Sequence, residues 1–314
     1  MLDRVDPLVI GECVADIVRV PEEPDRVHPG GSPANVAYGL ARLGHDTTLL
    51  TQLGPDAHGR LIRHHLTAAG VEVRTDEATG PTPSAAVTLD DHGHATYAFE
   101  VSWTLGPVVL DRVPRHVHTG SIAAVVEPGA ATVLAAVESL RGGATVSYDP
   151  NVRPELMGER ARAVPRVERC VALSDVVKAS DEDLRWLYPD EHAEQVAERW
   201  LAAGPALVLV TRGGAGAFAL FARGRAVAEA PPVDVVDTVG AGDAFMSGTL
   251  HALAAHGLLG PGARDRLHAV DRGTVTDVLR HAVASAAVTV SRAGANPPGA
   301  DELREALVTP DATS

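Results

Sequence analysis

The feature that most constrains this chain is an alternation. Short, almost wholly apolar runs rich in β-branched residues are separated by longer stretches with helical periodicity. Runs of that kind, bounded by Gly, Pro or Asp, are what strands buried on both faces look like. Their alternation with helices signals βα units around a mostly parallel sheet. The pattern predicts strands at 8–10, 47–50, 144–148, 176–178 and 206–211. It predicts helices at 32–43, 59–69, 130–139, 191–203, 241–256 and 275–291. With 314 residues and 45% hydrophobic content, the expected architecture is a single α/β domain over 1–314, doubly wound with helices on both faces of the sheet. A chain of this size buries enough surface to need no disulfide or structural metal.

Two stretches break the alternation. Ala86-Val87-Thr88-Leu89 and Thr96-Tyr97-Ala98-Phe99 flank the turn Asp90-Asp91-His92-Gly93-His94, which is an antiparallel hairpin signal. Together with 16–27 this hairpin is expected to form a small sheet standing off the main one, with its strands within about 14–27 and 83–103. The second break, 257–274, is rich in Gly and charge and reads as a surface excursion; the tail after Pro298 carries little signal.

Composition narrows the function classes. Twenty-seven basic residues against 41 acidic give a net charge of −14 with no basic block, so nucleic acid and anionic membrane surfaces are excluded as partners. Two cysteines, Cys13 and Cys170, cannot build a disulfide framework or a four-cysteine zinc site. No signal-peptide pattern and no membrane-spanning apolar run is seen, so the expected setting is the cytoplasm. Only one of the basic residues, Lys178, is a lysine.

The sharpest chemical segment is Asp237-Thr238-Val239-Gly240-Ala241-Gly242-Asp243. A β-prone run ends there, small residues follow, and a helix begins at about Ala241. The N–H groups of Gly240, Ala241 and Gly242 would converge at a helix N-terminus, an arrangement suited to a phosphate. Glycine lets the anion reach the backbone. A carboxylate beside such a site repels its ligand, which gives Asp243 a reason to be there as a general base for an attacking alcohol. The helix macrodipole also favours Asp in a first turn, so spacing alone leaves both readings open.

A second segment, Gly30-Gly31-Ser32-Pro33-Ala34-Asn35, opens the first predicted helix. Ser32 fits the N-cap and Pro33 the first helical position, and Gly44 ends the helix. Asn35 is a poor helix former just inside the first turn and is a candidate to hydrogen-bond a polyhydroxylated ligand.

Together, Gly30-Gly31-x-x-x-Asn35 and Asp237-Thr238-x-Gly240-Ala241-Gly242-Asp243 resemble the two signature motifs of the PfkB (ribokinase-like) carbohydrate kinases, in the right order and over nearly the whole chain. The resemblance implies a ribokinase-like fold with a β lid and ATP- and Mg²⁺-dependent phosphorylation of a small sugar. It implies Asp243 as base and Gly240, Ala241 and Gly242 as anion hole. Asp16, Gly30, Gly31 and Asn35 would be sugar contacts. Thr211-Arg212-Gly213-Gly214-Ala215-Gly216 is similar to the family's nucleotide loop, with Thr211, Gly213 and Gly216 at its matching positions. Asp149-Pro150-Asn151-Val152-Arg153 is similar to a run found in sugar kinases of the family, with Asn151 and Arg153 toward the substrate. An Asp-Pro-Asn turn with a solvated Arg is the structural reading of the same residues.

Where relatives carry Asn-x-x-Glu near the metal and phosphates, this chain has Ser180 and Asp183, one methylene shorter, for a water-mediated reach to Mg²⁺. Ser180 with acidic residues behind it is equally a helix cap. Lys178 ends the preceding strand, where a compact ammonium is placed for the nucleotide. Asp237, the Val239 carbonyl and Gly294 would frame the K⁺ site of potassium-activated members, although Pro298 replaces a hydroxyl found near that loop's end in some of them. In many relatives the lid also forms a homodimer contact. The local texture is most similar to fructokinases; ribokinase, 2-keto-3-deoxygluconate kinase and nucleoside kinase readings stay open. So does a non-catalytic sugar-binding protein on the same fold.

Other chemistries fail. The sole lysine follows Val177, not a glycine, which excludes a Walker A loop. Gly214-x-Gly216-x-x-Ala219 runs into a strand pattern and not a helix, against a dinucleotide fingerprint. The histidines, among them His64-His65, His92-x-His94 and His116-x-His118, form no His-Glu-x-x-His and read as surface or ordinary packing. No Gly-x-Ser-x-Gly elbow is present.

Overall fold

The computed structural model describes residues 5–20, 24–75, 80–89, 95–107 and 109–308. The chain begins β1 (Pro7–Ile10), β2 (Val14–Arg19), β3 (Arg26–Gly30), α1 (Ser32–Arg42), β4 (Thr48–Thr51), α2 (Ala57–Ala68) and β5 (Glu72–Thr75). The hairpin strands β6 (Ser84–Leu89) and β7 (Ala95–Glu100) follow. Then come β8 (His116–Gly120), α3 (Gly129–Leu140), β9 (Thr145–Asp149), α4 (Pro154–Met157), α5 (Arg160–Leu173) and β10 (Val176–Ser180). The last third holds α6 (Asp181–Leu187), α7 (Ala193–Ala202), β11 (Leu207–Thr211), β12 (Ala217–Phe221) and β13 (Gly224–Ala228). It closes with α8 (Ala241–Ala255), α9 (Arg264–His268), α10 (Arg272–Val290) and α11 (Ala300–Val308).

Among the described residues, nine strands form one sheet in the order β13-β12-β11-β10-β9-β8-β1-β4-β5. It is parallel from β11 to β5, and the β12–β13 hairpin extends one edge in antiparallel fashion. Alternate strand residues point to opposite layers, as a period of two requires. Val176, Leu207 and Leu209 join the core under α8 and α10, whereas Val177, Val208 and Val210 join the core under α5 and α7. A second sheet, β3-β2-β6-β7, stands apart, with β2 and β6 parallel and its outer pairs antiparallel. The hairpin's expected turn at 90–94 lies outside the described residues.

Two expectations need correction. The 257–274 stretch is no mere surface excursion, because Leu258, Leu259, Ala263, Leu267 and Val270 are buried and Arg264 donates to the buried Asp175. Its glycines make tight turns, with Gly257, Gly260 and Gly262 at positive φ, and those turns fold the segment back onto the sheet's base. The β-prone run before Gly240 forms no strand: Val235 and Val236 are exposed, and Val236 and Asp237 donate their N–H groups to the Val290 carbonyl. Of the two readings of the histidines, packing holds for His116 and His118, which are fully buried between β8 and β9 and paired with Thr145 and Ser147 hydroxyls at 2.8–2.9 Å. His92 and His94 lie outside the described residues. No helix among the described residues is long and apolar enough to cross a membrane.

Glu12 leaves β1 on the C-terminal side of the sheet and is 2% exposed. It accepts the Ala123 N–H at 3.2 Å. Burial pushes its carboxyl up to about 8, with hydrogen bonds and the Arg153 charge opposing. Such an acid is protonated in the native state at neutral pH while the unfolded chain ionises it near 4.5. Native stability therefore falls as pH rises from 4.5, and the loss is complete above about 8. Burial shifts His116, His118 and His251 down to about 4, 3 and 4, which costs stability as pH falls below 6.5 and masks the Glu12 effect in the wild-type curve. A Glu12→Gln comparison isolates it. The variant is expected to be more stable than wild type by roughly 2–4 kcal/mol at pH 8.5, with the two converging toward pH 4.5. Urea unfolding midpoints across that range are the measurement, and a pH-independent difference would refute the assignment.

Candidate active site

Doubly wound sheets place their ligand crevice beyond the C-terminal strand ends. Here those ends deliver Glu12 after β1, Gly120 in β8, Asp149 in β9, Ser180 in β10 and Thr211 in β11. The N-termini of α1 and α8 converge on the same edge and meet through side chains. Ser32 Oγ donates to Asp243 Oδ1 at 2.6 Å, and Asn35 Nδ2 donates to Oδ2 at 2.8 Å. Both oxygens of a carboxylate that is 8% exposed are thereby oriented.

This corrects the expected cap. Gly31, at φ 101°, occupies the N-cap of α1, and Ser32 begins the helix with its hydroxyl turned to Asp243. A Cβ on Gly31 would sit 2.5 Å from the Glu12 carbonyl oxygen, so the close approach also demands glycine. Asn35, expected as a sugar contact, holds Asp243 from the helix's first turn.

Gly240 caps α8 in the left-handed region at φ 75°, and a Cβ there would meet Ala295 at 2.6 Å. Gly242 lies over Lys178: a Cβ on it would be 2.8 Å from the Lys178 ammonium. Lys178, 3% exposed, pairs at 2.9 Å with the fully buried Asp149. Sequence reasoning passed over Asp149 as a site residue. Its signal was the strand register, since β9 and β10 align Tyr148 with Val177 and so bring the next residues level.

Asp16 in β2 pairs with His28 in β3 and lays its side chain diagonally over Gly30, where a Cβ would fall 2.0 Å from the Asp16 carboxylate. Burial raises the Asp16 carboxyl to about 6; Arg153 and His28 pull it down, and the nearby Asp243 charge pushes it up. Asp16, Arg153 and Asp243 thus share one electrostatic neighbourhood. Arg153 is itself exposed, donating to the Val152 carbonyl at 2.9 Å. Asn151 takes a left-handed φ of 33° and donates its N–H to Asp149 at 3.1 Å.

Ser180 caps α6, accepting the Asp183 N–H at 3.0 Å, while Asp183 Oδ2 accepts the Ser180 N–H at 2.8 Å. The other Asp183 oxygen accepts Val152 N–H at 2.8 Å. Both oxygens thus hold backbone. Beyond β10, Thr211 ends β11 and the Arg212 N–H closes the following loop onto the Gly216 carbonyl at 2.8 Å. Gly213 and Gly216 have φ of 51° and 80°, and a Cβ on Gly216 would lie 2.1 Å from the Ala228 carbonyl oxygen. Asp237 accepts the N–H groups of Val239 at 3.0 Å and Gly294 at 2.8 Å, gathering those three residues; these bonds hold its carboxyl below the usual range.

Comparison with known proteins fits this geometry. The chain is 38% identical over 265 residues to a fructokinase of Salmonella typhimurium, covering 80% of this chain and 85% of that one. A fructokinase double mutant from Vibrio cholerae, solved with fructose, ADP and potassium ion bound, superposes with a TM-score of 0.82 at 26% identity, covering 98% of this chain and 99% of that one. Aminoimidazole riboside kinase from Salmonella enterica, complexed with aminoimidazole riboside and an ATP analog, gives 0.78 at 27% identity, covering 96% and 99%. The pfkB family carbohydrate kinase model matches residues 6–302, and the chain belongs to that family.

Proposed function

We propose that this chain is an ATP-dependent fructokinase in which Asp243 deprotonates the attacking sugar hydroxyl. The observation that carries the reading is the Asp243 carboxylate, fixed by Ser32 and Asn35 at the N-terminus of α8, where Gly240 and Gly242 leave the backbone uncovered and the Ala241 N–H is turned to the Thr238 carbonyl at 3.2 Å. A purely sugar-binding protein gains nothing from an anion placed next to an anion hole. A phosphoryl-transfer enzyme needs both, because the hydroxyl proton leaves late in a loose transition state and an ordinary carboxylate can accept it. The α8 N-terminus stabilises negative charge on the transferring group with dipoles that are already oriented.

Asp16 binds sugar hydroxyls from the lid side, with Gly30 and Gly31 leaving room and Asn151 and Arg153 lining the opposite wall. The loop from Thr211 through Gly213 to Gly216 receives the nucleotide. Ser180 and Lys178 face its phosphates. Mg²⁺, when bound, neutralises the β- and γ-phosphates. Asp183 spends a lone pair of each oxygen on a backbone amide, so its part in holding that ion is through water. Asp237, the Val239 carbonyl and Gly294 offer a compact oxygen-bearing frame for K⁺. The small β3-β2-β6-β7 sheet would act as lid, excluding water as a competing acceptor, and serve as the contact of a homodimer. A cytoplasmic setting, where ATP and free sugar are available, belongs to the same proposal.

Fructose is favoured by the fructokinase relatives; the aminoimidazole riboside kinase neighbour gives a riboside as second substrate class. A coupled ADP-release assay over fructose, ribose, 2-keto-3-deoxygluconate and nucleosides separates them. Fructose is expected to give the highest kcat/KM, and absence of sugar-dependent turnover would remove the kinase reading. Asp243→Asn is expected to lower kcat by about 10³-fold while leaving the fold intact; undiminished turnover would remove the base. Gly30→Ala is expected to displace the Asp16 carboxylate and raise the sugar KM about tenfold or more with the ATP KM nearly unchanged. Equal effects on both substrates would count against Asp16 as a sugar contact.

A further inference from the structure

Asp149 sits at the end of β9 with no exposed surface, and its two oxygens serve different parts of the crevice. Oδ2 holds the Lys178 ammonium at 2.9 Å. Oδ1 accepts the N–H of Asn151, at 3.1 Å, in a turn whose left-handed φ of 33° is unusual for a non-glycine residue. That turn leads directly to Arg153, whose charge acts on Glu12 and Asp16. Lys178 in turn lies under Gly242, and any side chain there would collide with its ammonium. An ammonium has three N–H donors; among the described residues Asp149 alone accepts from it, which leaves the others for oxygens arriving over Gly242.

A buried ion pair is a weak source of stability, because desolvating both charges offsets most of their attraction. Packing alone therefore gives little reason for an ammonium beneath the start of α8. Burial acts to weaken the Lys178 proton affinity, yet Asp149, Asp183 and Asp243 outweigh it and leave the group charged. Of those three, Asp149 makes the hydrogen bond to it.

We propose, building on the kinase reading above, that Asp149 is a positioning residue. It aims the Lys178 ammonium at the transferring phosphoryl group with one oxygen and fixes the sugar-side turn 150–153 with the other. The two arms make separable demands on kinetics. Asp149→Asn keeps an acceptor for the Asn151 N–H and removes the counter-charge of Lys178. It is expected to lower kcat about 30-fold with the fructose KM within about threefold. Asp149→Ala loses both arms, and its fructose KM is expected to rise about tenfold on top of the same kcat loss. Lys178→Met alone and Lys178→Met combined with Asp149→Asn are expected to share one kcat, because Asp149 acts on that step through Lys178.

Wild-type kcat in Asp149→Asn, or multiplying kcat losses in the double variant, overturns the proposal. So does a kcat and KM change of the same size in both Asp149 variants, which a merely structural role would give. Should a single variant fail to fold, the double variant removes both buried charges together; turnover at the wild-type rate there overturns the proposal as well. No turnover by the wild-type chain overturns the kinase reading and this inference with it. Turnover by the wild type with an undiminished Asp149→Asn overturns this inference alone.

Discussion

The junction of two helix N-termini through one carboxylate organises the molecule. Asp243 belongs to α8, yet both its oxygens are bound by α1 side chains, Ser32 at 2.6 Å and Asn35 at 2.8 Å. An ionised group of this kind, nearly out of water, is tolerable because charge-assisted hydrogen bonds replace its hydration. Each helix start also contributes partial positive charge. The helices pack closely enough that Gly39 of α1 faces Ser247 of α8, where a Cβ would lie 2.5 Å from the hydroxyl. The two sequence motifs that resemble a kinase signature are thus parts of one contact.

Around that contact the crevice holds more acid than base. Glu12, Asp16, Asp149, Asp183 and Asp243 cluster where the charges that oppose theirs come from Lys178, Arg153 and, at Asp16, His28. Burial splits their behaviour. Glu12, sealed under 121–123, is pushed to about 8 and is neutral at pH 7, whereas Asp149 rises to about 6 and stays ionised beside the Lys178 ammonium. A neutral acid is the cheaper choice where no cation is in contact; an ion pair is retained where a positive charge has work to do. The sole lysine marks that place in a chain whose other basic residues are arginines. A guanidinium is broad and planar and would not fit under Gly242 as a compact ammonium does.

Much of the architecture was legible because periodicity is local. The predicted strands fall within about two residues of β1, β4, β9, β10 and β11, and each predicted helix has its counterpart. What escaped was non-local or disguised. Pro165 interrupts the pattern of α5, and the glycine turns of 257–274 hid α9 with its buried Leu267. α11, beyond Pro298, is held by Glu302 bridging Arg42 and Arg292, partners that no nearby residue announces. Ser32 shows the limit of local pattern most clearly. Serine before a helical run is locally a cap, yet its hydroxyl found a carboxylate 211 positions away and glycine took the cap. Asp149 escaped for the same reason, since only strand register brings it level with Lys178.

The departure from the family's Asn-x-x-Glu run has a local explanation with a consequence for the crevice. Ser180 and Asp183 close a capping box at the start of α6, each side chain accepting the other's backbone N–H. Aspartate at this third helical position has the reach to satisfy the cap and, with its second oxygen, the Val152 N–H at 2.8 Å. The turn 150–153 is therefore held from two sides, through Asn151 by Asp149 and through Val152 by Asp183. Two buried carboxylates, one at the end of β9 and one in the first turn of α6, fix one short turn. A glutamate at 183 would carry its charge one methylene farther and give up that grip on Val152. The shorter acid thus joins the start of α6 to the turn that ends at Arg153.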